Sequence, residues 1–244
     1  MFFGKRRCII SQSLFLIISI FFYNCSKSTP PLFTEHTYSI NKSTVLIQIF
    51  PPDLSNNQKR GIAIVVFVNQ DENIEEVKAI LRDFYNDGCK LILLKADWTS
   101  ILQEYLNSTL KDENKNLICN ILKDEINQDK KIFLLAGELG CFSIGQVIQS
   151  DCPEGLILLS PYCNPNIFGE NNNQNSFYIP TFISVGENDT KAYNFSLQLY
   201  QKNRSFCEMR TYPTYEAGWA LLNSSTHVKE QIKLWIETIT SKGI

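Results

Sequence analysis

A chain of 244 residues, 44 % hydrophobic and 20 % charged, is long enough for one domain with a substantial core and has an ordinary globular composition. A formal charge of −2 offers no electrostatic footprint for nucleic acid, which is therefore not expected as a partner. With only His36 and His227 and no Cys-x-x-Cys, no metal site is expected either, and nothing points to a cofactor.

The N-terminal stretch differs in kind from the rest. Lys5, Arg6 and Arg7 precede an apolar run from Cys8 to Tyr23, which reads as an export signal. As a membrane span the run falls short of the ~20 apolar residues that crossing needs. Its end, Phe21-Phe22-Tyr23-Asn24-Cys25-Ser26, resembles a bacterial lipoprotein signal, in which the apolar segment stops at a cysteine that is lipidated and becomes the new N-terminus. Asn24 stands where Gly, Ala or Ser is usual, and an ordinary cleaved signal or an uncleaved anchor are the alternatives. The resemblance implies a signal peptide over 1–24, lipidation at Cys25 and a tether over 25–43 that includes His36. It also implies a domain over 44–244 held at a bacterial cell-envelope membrane, at the outer membrane or the periplasmic face. Loss of Lys5, Arg6 and Arg7 takes the formal charge from −2 to −5. Six cysteines remain in the body, and no compact spacing selects a disulfide pairing although export permits one. Cys89 and Cys207 lie beside apolar strands and read as buried thiols.

In chain order, Val45 to Phe50 reads as an edge or opening strand stopped by Pro51-Pro52. Gly61 to Val68 is a continuous β-branched run, the mark of a strand covered on both faces. Helical spacing at Val77, Ile80, Leu81 and Phe84 predicts a helix over 74–85, ended by Asn86-Asp87-Gly88. Cys89 to Lys95 is the next buried strand, followed by a helical stretch near 114–127. Further strands are expected at Gly155–Ser160, Pro180–Gly186 and Cys207–Tyr212. Helices are expected at 193–201 and 228–239, the last with Trp235 on its apolar side. Strands alternating with helices give a parallel sheet covered on both faces, and the loop between Ser160 and Pro180 is too short for a lid domain.

The most informative stretch is 131–149. Ile132 to Leu135 is a short buried strand, small residues follow at Ala136, Gly137 and Gly140, and helical spacing then runs through Phe142, Ile144, Val147 and Ile148. Strand, sharp turn and helix with this spacing resemble the nucleophile elbow Gly-x-Ser-x-Gly of α/β-hydrolases. Here Ala136-Gly137-Glu138-Leu139-Gly140 puts Glu138 at the place of the serine.

The order of pieces from Val45 to Ile239 is similar to the α/β-hydrolase fold, in particular its small lidless esterase and dienelactone-hydrolase-like branch. Under that resemblance, Val68-Asn69 stand where the family has the His-Gly that opens the oxyanion loop. Leu91 to Asp97 resembles the next strand with its terminal Asp. Ile179 to Asp189 carries the Gly-x-x-Asp turn that delivers the triad acid, so Asp189 takes the acid position. Ala217-Gly218-Trp219 stands where the family has His-Gly-Trp, so Ala217 takes the base position.

The departures fall on the chemistry. Acyl transfer needs an activated hydroxyl or thiol beside a base, and an acid without its histidine orients nothing. The resemblance therefore implies a hydrolase fold without hydrolysis, anchored to a membrane and binding an unknown protein or small-molecule ligand. The alternative is an active esterase or lipase-type hydrolase with a rearranged site, using Cys141 or Glu138 with His227. Ser143 and Ser160 read as structural.

Overall fold

The computed structural model describes residues 33–40, 43–51, 61–101, 131–138, 153–162 and 179–242. The expectations for the leader, for Cys25, for Cys141 and Ser143, and for the helices near 114–127 and 142–149 lie outside these residues. The described elements are β1 (Thr34–Ile40), β2 (Ser43–Phe50), β3 (Ile62–Asn69), α1 (Ile74–Asn86), β4 (Lys90–Ala96), β5 (Lys131–Gly137), β6 (Gly155–Leu159), β7 (Thr181–Gly186), α2 (Thr190–Lys202), β8 (Cys207–Tyr212), α3 (Gly218–Ser224) and α4 (Thr226–Lys242).

All eight strands join one sheet in the order β1-β2-β4-β3-β5-β6-β7-β8. Strand β2 runs antiparallel to both β1 and β4, and every pairing from β4 to β8 is parallel. The central strands are apolar throughout because both of their faces are covered. In β3, Ile64, Val66 and Val68 point into the layer built with α1, α3 and α4, while Val65 and Phe67 point into the layer with α2 and Trp98. Trp235 of α4 closes the first layer with its ring edge-on to Phe133, centroids 5.9 Å apart, and beside Phe182 at 5.7 Å.

Two expectations need correction. Val45–Phe50 is a strand, but it is not the edge. Strand β1 lies outside it with Thr34 paired to Ile49 and Ile40 to Ser43, inside the segment expected to be tether, so His36 sits in the sheet. The sequence Thr-Glu-His-Thr-Tyr-Ser-Ile shows no apolar face, because an outer strand is exposed along most of its length. The second is a short helix, α3, at Gly218–Ser224, a stretch for which the sequence predicts no helix. No described helix is long and apolar enough to cross a membrane. Cys89 and Cys207 are buried thiols as expected, and burial, with a smaller push from Glu208, raises the Cys207 thiol to about 12.

Close backbone approach decides two glycines. A Cβ at Gly155 would lie 2.6 Å from the Trp235 ring. At Gly186, the end of β7, it would lie 2.6 Å from the Thr214 carbonyl and 2.9 Å from that of Glu216, and a backbone carbonyl cannot rotate away as a side chain can. Gly186→Ala is therefore expected to cost about 1–3 kcal/mol in chemical denaturation through overpacking. A change within about 0.5 kcal/mol, as for ordinary surface substitutions, would contradict this packing.

Candidate functional site

The C-terminal ends of β3, β5, β7 and β8 deliver the site-bearing turns to one edge of the sheet. Parallel strands make this edge, and open α/β sheets bind ligands at it. Glu138 follows β5 directly with φ of 40°, a conformation that strains any residue with a Cβ. Its amide donates to the Leu159 carbonyl at 2.9 Å, and its own carbonyl receives the Tyr162 amide at 3.5 Å. The turn is pressed against the start of α3. A Cβ on Gly137 would lie 3.3 Å from Cε2 and Nε1 of Trp219. One on Gly218, which has φ of 50°, would lie 2.9 Å from Cγ and Oε1 of Glu138. The Glu138 carboxylate therefore lies over the Gly218 backbone, next to half-buried Ala217.

Ala217 stands in the N-cap position of α3 with extended backbone and no side-chain cap. Asp189 reaches the same edge from the turn after β7, where its amide donates to the Gly186 carbonyl at 3.2 Å. Its Oδ1 accepts from the Ala192 amide at 3.2 Å and caps α2. The loop of Asp189 is clamped to the loop before Ala217, since the Asn188 amide donates to the Thr214 carbonyl at 3.2 Å and the Glu187 amide to the Tyr212 carbonyl at 2.8 Å. His227 lies in the first turn of α4. It is largely exposed, its Nδ1 lies 4.0 Å from Glu230, and its ring stands edge-on to Tyr212. Asp97 caps the helical turn at 98–101 through the Ser100 hydroxyl at 2.6 Å and amide at 3.0 Å, which hold its carboxyl below the usual range.

Glu72 reaches the same edge with no signal in the sequence to announce it. Its Oε2 accepts from the Asn69 amide at 2.5 Å, its Oε1 from the Trp219 indole Nε1 at 2.8 Å, and its carbonyl from Lys95 Nζ at 2.7 Å. Asn69 is near in sequence, but the indole partner lies 147 residues away. Asn69, expected at the oxyanion loop, thus has its amide directed at a carboxylate of the same chain.

Negative charge gathers here. Burial raises the carboxyl of Glu138 above its ordinary range, and the charges of Asp189 and Asp71 push the same way. Burial also raises Glu72, against the two hydrogen bonds it accepts, with Asp71 and Glu138 adding to the rise. Even so, among the described residues no three His, Cys, Asp or Glu side chains are placed to hold a metal ion.

The sheet order, the reversed second strand and the turn-borne residues at the C-terminal edge define the α/β-hydrolase fold. Solved structures bear this out. The proline iminopeptidase-related protein of Thermus thermophilus is 12 % identical with a TM-score of 0.59, covering 85 % of this chain and 98 % of its own. Est1E from Butyrivibrio proteoclasticus is also 12 % identical with a TM-score of 0.59, over 85 % and 99 %. A Nitrososphaera gargenis structure, described under carboxylesterases, is 7 % identical with a TM-score of 0.59, over 86 % and 100 %. Identities this low establish the fold alone. No protein-family model matches the chain, and no curated protein does either.

A carboxyl raised in the folded state takes up its proton there before it does so in the unfolded chain. Its ionised form therefore destabilises the fold at neutral pH, and that loss fades as pH falls through the folded value toward the unfolded one near ~4.3. Glu138→Gln is expected to melt above the parent at pH 7–8, with the difference shrinking toward the unfolded value. Melting curves of both proteins across that range check it, and equal melting temperatures at pH 8 would contradict it.

Proposed function

We propose that this chain is a membrane-anchored lipoprotein of the α/β-hydrolase fold that does not hydrolyse and acts by binding a ligand or a partner. In this reading Glu138 occupies the nucleophile position, Asp189 the acid position and Ala217 the base position. The observation that carries it is the contact of the Glu138 carboxylate with Gly218, beside Ala217. An elbow that ends in a carboxylate has no hydroxyl to attack an acyl group, and alanine can neither take nor give the proton.

Electrostatics support the same reading. The transition state of acyl transfer places negative charge on an oxyanion, which enzymes stabilise with preorganised N–H donors. Here Glu138, Glu72 and Asp71 would repel that charge, and the Asn69 amide is already spent on Glu72. Asp189, with no histidine to orient, caps a helix instead. The membrane anchor rests on Cys25 and the leader that precedes it.

Short-chain p-nitrophenyl esters given to the soluble fragment from Ser26 test the chemistry. The expected result is no turnover above the heat-inactivated control. Turnover that disappears in Glu138→Ala or Cys141→Ala would overturn the reading in favour of a rearranged hydrolase working with His227. For the anchor, Cys25→Ala is expected to move the protein out of the membrane fraction, and unchanged fractionation would contradict lipidation at that residue.

A further inference from the structure

We propose that the Asn69 amide and the Trp219 indole form a carboxylate-binding site whose occupant is the chain's own Glu72. Three observations converge on it. The two donors reach different oxygens of one carboxylate, the amide to Oε2 at 2.5 Å and the indole to Oε1 at 2.8 Å, which is a two-pronged grip on an acid group. The donors come from elements far apart in sequence, the end of β3 and the start of α3, so the turn that joins Asn69 to Glu72 supplies one prong and the fold supplies the other. Both donors are also held by contacts that do not involve the Glu72 side chain. Asn69 sits in the β3 ladder opposite Ala96, and the Trp219 ring is seated against Gly137.

Glu72 thus acts as a built-in plug. Its backbone is itself held by Lys95, which fixes the loop that delivers the carboxylate. Removal of the side chain leaves two N–H donors facing a half-buried space the size of a carboxylate. A small free acid fills that space with the same two hydrogen bonds, against the repulsion of Asp71 and Glu138. With Glu72 in place, an incoming acid has to displace it. The proposal deepens the non-hydrolytic reading by naming what closes the site on the side of β3, and it rests on that reading for its meaning. Acetate binding tests the plug, whereas ester turnover tests the loss of hydrolysis, so failure of one is distinguishable from failure of the other.

The experiment uses the full chain in mild detergent, with Glu72→Gly, acetate as the probe and sodium chloride at equal ionic strength as the control. Acetate is expected to raise the melting temperature of Glu72→Gly on the order of 2–4 °C by mass action and to leave the parent unchanged. The indole N–H resonance of Trp219, assigned by its absence in Trp219→Phe, is expected to move saturably with acetate in the variant only. Should Glu72→Gly fold poorly, its refolding yield is expected to rise with acetate and not with chloride. Equal responses of variant and parent, or no response to acetate in stability, resonance or yield, would overturn the proposal.

Discussion

Trp219 ties the functional edge of the sheet together. Its ring packs on the Gly137 backbone under the Glu138 turn, and its indole nitrogen donates to Glu72 in the loop after β3. One side chain therefore joins the ends of β3 and β5 to the start of α3. The ring needs a small residue beneath it, since a Cβ at Gly137 would lie 3.3 Å from it, and the buried N–H needs an acceptor, since a donor left unpaired there would cost about 1–3 kcal/mol. Much of what is unusual at the edge follows from those two needs.

The acceptor chosen is a carboxylate, and its charge sets the character of the site. Burial raises both Glu72 and Glu138, the charge of Glu138 lifts Glu72 further, and Asp71 pushes both the same way. Among the described residues, Lys95 bonds the Glu72 carbonyl, and the Lys191 ammonium lies 5.8 Å from the Tyr162 ring centroid. Stability comes instead from the two apolar layers beneath, built by β3, β5, β6 and β7 against α1, α3 and α4 on one side and α2 on the other. A core of that size tolerates an edge that repels itself.

The parts of the fold legible in the sequence are those written in local pattern. The runs Ile62–Asn69, Lys90–Ala96 and Gly155–Leu159 announce strands covered on both faces, and the spacing of Val77, Ile80, Leu81 and Phe84 gives α1. Strand β1 escapes because an outer strand with solvent on both faces carries no alternation to read. At the site, Glu138, Asp189 and Ala217 are found through their place in a resemblance, and the fold brings all three to one edge. Glu72 is not found, because its bond to Asn69 within the loop leaves no mark in the sequence and its second partner is an indole 147 residues away. The sequence puts His227 at a helix start, and the structure has it in the first turn of α4, largely exposed and edge-on to Tyr212.

The proposed reading is of a hydrolase-fold edge without nucleophilic chemistry. Intact-mass spectrometry after exposure to a fluorophosphonate tests it most directly, because such reagents phosphonylate an activated hydroxyl or thiol whatever the natural substrate is. The predicted result is an unchanged mass for the native protein, with a serine hydrolase of the same fold labelled fully in parallel. A single stoichiometric adduct, lost on unfolding the protein before exposure, would contradict it.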